Sequence, residues 1–201
     1  MASGEYELKA ALVRPGTSRR NRSLMRLAAG LLLLIAAAVF ALAQDAGVGA
    51  GVSAGGKWLK FETEEKMTGA KRVWFRLDAD NYLPDGDLRP QVMVFCAGGK
   101  FSLGDFRPNI RMSGPNRISF WGHPQMRVMV RVDNAHSNHS WNWVNGKFLA
   151  MDKDTTRQLI GANIFKVEFL GGDRPQIAEF SPAGLNLGWV KQACDLKPEK
   201  P

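Results

Sequence analysis

The sequence predicts a mainly β protein: an antiparallel β-sandwich or partly closed barrel with a short internal helix and a C-terminal helix. Three observations predict it. Apolar and polar residues alternate with a period of two in several short runs, the mark of half-buried strands. Turn signals rich in Gly, Pro and Asn separate these runs at close intervals. Helix signals occur at only two places, and many strands with close turns favour a sandwich or barrel.

The elements follow in order. In KRVWFRLD, Val73, Phe75 and Leu77 point one way, and Arg72, Trp74, Arg76 and Asp78 the other. QVMVFC, residues 91–96, is apolar on both faces and reads as a central strand. RISFW at 117–121 and WNWV at 141–144 are shorter strands. In RVMVRV, Val128, Val130 and Val132 oppose Arg127, Met129 and Arg131; in FKVEF, Phe165, Val167 and Phe169 oppose Lys166 and Glu168. Turns are expected at Pro84-Asp85-Gly86, Gly98-Gly99, Ser113-Gly114-Pro115, Asn145-Gly146 and Gly171-Gly172-Asp173. Asn145-Gly146 is the strongest, because a type I′ turn needs positive φ at both centres. A first helix is expected at 153–160 behind Asp152 as cap. A second spans 182–195, with Ser181 as cap, Pro182 at the first helical position, and an apolar face built on Leu185, Trp189, Val190 and Cys194.

Ahead of these elements lies a different kind of sequence. Residues 1–26 are basic, and 27–43, LAAGLLLLIAAAVFALA, carry no charge. Basic region, apolar run and Ala41-Leu42-Ala43 form a secretory signal, with cleavage expected between Ala43 and Gln44. The alternative is an uncleaved inner-membrane anchor, since 17 apolar residues are at the short edge of what spans a bilayer. A compact signal could also start at Met25, and Ser18-Arg19-Arg20 hints at the twin-arginine route. Either way the domain is expected outside the cytoplasm, periplasmic or secreted, touching membrane only through this segment. Residues 44–56, containing AGVGAGVSAGG, read as a linker, and 57–197 as the β-rich domain.

The formal charge of +8 is concentrated in the prefix, where six of the 27 bases precede Leu27. The remainder carries 21 bases against 17 acids, with no basic run longer than Lys71-Arg72. Nucleic-acid binding needs a denser basic stripe. The two cysteines, Cys96 and Cys194, are expected to pair in an oxidising compartment; two buried free thiols are the other reading.

The chain resembles the TagO/VasI family of periplasmic accessory proteins of type VI secretion. The residues that carry the resemblance are VWFRLDA at 73–79, VMVFC at 92–96, MRVMVRVD at 126–133, EFSPAGL at 179–185 and QAC at 192–194. It covers residues 57–196, and the long basic prefix departs from it. The resemblance implies an accessory role with an envelope protein as partner, and brings no catalytic residues.

Candidate sites are few. His136 and His139 with Asp133, and His123 as a further ligand, could hold zinc, although DNAHSNHS at 133–140 also has the composition of a polar hairpin loop. Trp141 and Trp143 share a strand face and could stack on sugar rings, or pack into the core. Asp78, Asp80, Asp85 and Asp87 could attract calcium but lack the EF-hand series. Met93, Met112, Met126 and Met129 read as core filler. Nucleophile elbow, P-loop, dinucleotide fingerprint and HExxH helix are all missing from the sequence. The expectation is a non-catalytic, cofactor-free binding or accessory protein of the envelope. The alternatives are a glycan- or peptidoglycan-binding module using Trp141 and Trp143, and a metal-dependent hydrolase around His136 and His139.

Overall fold

The computed structural model describes residues 50–84 and 86–199. The expected signal segment, the expected cleavage between Ala43 and Gln44, and Asp85 lie outside the described residues. Within them the alternating runs become strands of one antiparallel sheet: β1 (Val52–Ser53), β2 (Leu59–Glu64), β3 (Lys71–Asp78), β4 (Gln91–Ala97), β5 (Lys100–Arg107), β6 (Arg117–Ile118), β7 (Pro124–Val132), β8 (Ala135–Val144), β9 (Phe148–Met151), β10 (Phe165–Gly171) and β11 (Arg174–Phe180). Two helices interrupt them, α1 (Lys153–Gly161) after β9 and α2 (Leu187–Cys194) after β11. The order across the sheet is β1-β2-β3-β4-β5-β9-β8-β7-β10-β11, with β6 paired to β7. The protein is therefore mainly β, with one large antiparallel sheet that is not closed.

Its two ends are nevertheless bridged. The Asp80 N–H donates to the Glu179 carbonyl (2.7 Å), and Asn81 both donates to the Ile177 carbonyl and accepts from the Glu179 N–H (2.9 Å each). The outer edge of β11 is thus capped rather than left open to another strand. Nearby, the Asn186 N–H donates to the Ala54 carbonyl (2.8 Å) and the Trp58 indole to the Pro182 carbonyl (2.7 Å). Gly55 and Gly56 permit this approach: a Cβ on either would stand 2.2 Å from a carbonyl oxygen of Gly184 or Ala183.

The core follows the period-two pattern. Phe75, Leu77, Val92, Val94, Val128, Val130, Phe165, Val167 and Phe169 are buried on one face of the sheet. Phe106 meets Trp141, Phe169 and Phe180 at centroid distances of 6.1, 5.2 and 6.3 Å. Burying such side chains contributes roughly 1.5–3 kcal/mol each against water. Leu159 and Ile160 of α1, and Val190 of α2, complete this core. Cys96 in β4 is bonded to Cys194 at the end of α2, with Cα atoms 4.9 Å apart. That bond fits an oxidising environment.

Several elements differ from the sequence reading. The fold begins before Lys57, because β1 pairs with β2 and Ala54 is buried. Of RISFW only Arg117–Ile118 is strand; Phe120 and Trp121 lie in a turn. The polar stretch 133–140 is not a loop: the turn is only Asp133–Asn134, and β8 pairs with β7 from Ala135 to Asn142. Asn138 and Ser140 cost little there, since one face of an antiparallel sheet can meet water. Met129 is exposed on that face, whereas Met93, Met112 and Met126 are buried. The last helix starts at Leu187, with Asn186 as its cap accepting from the Trp189 N–H (3.2 Å). Residues 181–186 are held out of the helix by tertiary bonds; the Ser181 hydroxyl donates to Asp80 (2.6 Å) instead of capping. By contrast α1 is capped by Asp152 as expected, accepting from the Thr155 N–H (2.7 Å), and Asn145 and Gly146 both have positive φ, 51° and 67°.

Candidate functional site

β8 decides the fate of the histidine cluster. Three residues apart on a strand, His136 and His139 point to opposite faces. His136 sits on the outer face with Met129, Arg131, Lys166, Glu168, Ile177 and Glu179. His139 turns toward α1. Asp133 accepts from the Asn163 and Ile164 N–H groups (2.9 Å each), which fixes the turn before β10. The proposed ligands are therefore not brought together. His123 lies in the hairpin after β6, and no three His, Cys, Asp or Glu side chains converge among the described residues. Asp78 and Asp80 are likewise separately engaged, with Arg76 (3.3 Å) and with Lys57 and Ser181.

What His139 does make is a network sequence reading missed. Its Nδ1 lies 3.1 Å from Asp152 Oδ2 and its Nε2 lies 2.7 Å from the Ser137 hydroxyl. An ionised Asp152 can only accept, so Nδ1 carries a proton; in the neutral ring Nε2 then accepts from Ser137. Asp152 also accepts from the Thr155 hydroxyl (2.8 Å) and the Trp141 indole (3.2 Å). Burial pushes the Asp152 carboxyl up, but the Thr155 hydrogen bonds, the His139 charge and the Trp141 N–H outweigh it and hold it below its ordinary value. The order Ser137–His139–Asp152 is that of a nucleophile, base and orienting acid. The same contacts fasten β8 to the start of α1. The separation of Asp152 from β8 along the chain hid the network; Ser-x-His on one strand face was its only local sign.

Trp141 is fully buried, with its indole N–H on Asp152, and Trp143 packs against the core as a partly buried residue. The pair thus follows the core-packing reading of these two residues rather than the sugar-platform one. The aromatic surface lies elsewhere, on the outer face of β2–β5. There Phe61, Trp74, Phe95 and Leu103 stand in register on four neighbouring strands. Phe61 and Trp74 stack at 5.2 Å with planes 4° apart, Trp74 and Phe95 follow at 6.3 Å, and Arg76 lies over Phe61 at 5.2 Å. Beside this row a groove of about 420 Å³ is lined by Arg72, Phe95, Leu103, Asp105, Arg107 and Phe148. Asp105 is buried and paired with Arg107 (2.9 Å), its other oxygen without a partner. Burial pushes its carboxyl above the ordinary value despite Arg107.

The most exposed apolar surface among the described residues is the tip between β6 and β7. Phe120 is 92% exposed, Trp121 80% and Ile118 76%. The turn that presents them is firmly tied. The Ser119 N–H donates to the His123 carbonyl (2.8 Å), the Gly122 N–H to the Ser119 carbonyl (2.9 Å), and the His123 N–H to the Ser119 hydroxyl (2.9 Å). Gly122 takes φ +80°, which a side chain would resist. Below the turn, the Asn116 side chain accepts from the Arg127 N–H (2.9 Å), and Arg117 and Ile118 pair with Gln125 and Pro124. Phe120 and Trp121 meet edge to face at 5.1 Å. A short run of apolar residues read as a strand; Ser119 before the aromatics and Gly122-His123-Pro124 after them were the turn signals that mark the tip.

Compared with known proteins, the chain matches no protein-family model, no curated protein and no solved structure.

Proposed function

We propose that this protein is a non-catalytic binding or accessory protein of the cell envelope, and that it docks through the β6–β7 tip. The observation that carries the reading is the pair Phe120 and Trp121, each at least four-fifths exposed on a turn held by its own hydrogen bonds. Large aromatic rings kept in water on a rigid turn are an uncovered contact surface. The sequence resemblance and the disulfide both favour an extracytoplasmic accessory role. A photo-crosslinking amino acid at position 121, activated in intact cells, tests it. Capture of one dominant envelope component, lost when the label is moved to exposed Met67, supports docking; no adduct specific to position 121 defeats it.

A second reading rests on one observation, the Ser137 hydroxyl 2.7 Å from His139 Nε2 with Asp152 behind the ring. That arrangement would make Ser137 the nucleophile of an acyl transfer. Against it, Asp152 is already committed to capping α1. A fluorophosphonate probe decides. The docking reading expects no labelling; labelling abolished by Ser137→Ala would make the protein a serine hydrolase.

A further inference from the structure

We infer that the β6–β7 tip seats in the headgroup region of an anionic phospholipid bilayer. The inference deepens the docking reading above and rests on it. Between Asp105 and Asp133 the chain carries no acidic residue, but five arginines: Arg107, Arg111, Arg117, Arg127 and Arg131. The tip rises from the middle of this segment. Arg117 and Arg127 are exposed on the two strands that support it, and His123 closes its turn. Two acids come near its base: Glu168, opposite Met129, lines the same groove as Arg127, and Asp173 follows Gly172, whose N–H donates to the Arg111 carbonyl (3.2 Å). The result is an apolar point with a cationic collar.

That combination discriminates between partners. An apolar protein pocket would bind the rings without needing the collar. A glycan would need ring faces flanked by hydrogen-bonding side chains that can both donate and accept, and arginine only donates. Anionic lipid suits both parts. Trp and Phe settle at the boundary between headgroups and acyl chains, and guanidinium groups meet phosphates. The tip is small, so affinity depends on the two contributions acting together, as with other two-signal membrane contacts. Each arginine near an anionic surface is worth on the order of a fivefold change in binding, and salt screens it within a Debye length of about 10 Å.

The test must be local, because the hydrophobic run at 27–43 would itself carry the full chain to lipid. Vesicles of phosphatidylethanolamine and phosphatidylglycerol containing brominated acyl chains quench tryptophans that approach them. The chain has six tryptophans, so the contribution of Trp121 is the difference between the wild type and Trp121→Phe. The expected result is bromine quenching that is present in the wild type and largely gone in Trp121→Phe. Arg117→Gln/Arg127→Gln, which leaves the aromatic pair in place, should weaken it at least tenfold on anionic vesicles. Added salt should do the same, and on phosphatidylcholine the charge variant should behave like wild type. No Trp121-specific quenching on anionic vesicles overturns the lipid assignment. If position 121 still crosslinks to an envelope protein in cells, docking stands with a protein partner; if it crosslinks to nothing, both readings fall.

Discussion

Two groups of aromatic residues outside the core handle their rings in opposite ways. On the outer face of β2–β4, Phe61, Trp74 and Phe95 stack in a row with planes 4° and 26° apart, and Arg76 covers the end of the row. Strands about 4.8 Å apart suit such stacking, and it turns ring edges rather than faces to solvent. The rings stabilise the sheet and leave little for a ligand. At the β6–β7 tip, Phe120 and Trp121 touch only edge to face and remain exposed. Counting aromatic residues does not locate a binding surface; asking which ring faces are already occupied does.

The contrast can be broken from the stacked side first. Cys194→Ser cuts the tie between α2 and β4, whose Phe95 ends the row. It should cost a few kcal/mol, bounded by ~4.7 kcal/mol for closing a loop of this size in the chain-entropy model. Hydrogen exchange should rise in α2 and β4 and stay unchanged at 116–125. Uniform loosening across both regions would mean that they are not independent. Trp74→Ala should lower stability by about 2 kcal/mol, read by urea denaturation, because it removes two stacked contacts and half-buried area. A change below about 0.5 kcal/mol would show that the row is ornamental to folding.

A third change probes the network behind β8. Asp152→Ala should cost ~1 kcal/mol through the lost helix cap. The carboxyl's folded pKa lies below its unfolded value, so its contribution is present above the unfolded carboxylate pKa and disappears as pH falls through the folded one. Asp105, raised by burial, works the other way: stability falls as pH rises from its unfolded to its folded value. The acid arm of a stability–pH curve should therefore flatten in Asp152→Ala. An unchanged arm would place the acid sensitivity elsewhere. The smallest effect is expected at the tip, where Phe120→Ala/Trp121→Ala should shift stability by less than about 0.5 kcal/mol. A large loss there would make the rings structural and remove the basis of the docking proposal.

The strands were legible because Val73, Phe75 and Leu77, or Phe165, Val167 and Phe169, alternate without interruption and each run has a buried face. Asp152 as a cap and Asn145-Gly146 as a turn were legible for the same reason: their chemistry is local. Two of the misreadings involve distant partners. Ser181 and Pro182 have the composition of a helix start, but Asp80 and Trp58, about a hundred residues away, take their polar groups. DNAHSNHS looks like a loop unless one knows that β7 lies beside it. The tip failed differently, since Ile118, Phe120 and Trp121 satisfy a strand pattern that nothing in the fold completes.

The meeting of Ala54 with Asn186 and of Asp80 with Glu179 has a consequence for how the chain reaches this state. Both contacts, and the Cys96–Cys194 bond, join residues roughly a hundred or more positions apart. Contacts of such separation are slow to form, because the loop entropy must be overcome before they contribute. A chain emerging from its N-terminal end has β1 to β3 available early, yet lacks their closing partners until residues 179–194 appear. Native structure therefore waits on residues 179–194, and until they arrive Ala54, Trp58 and the segment after β3 lack their partners.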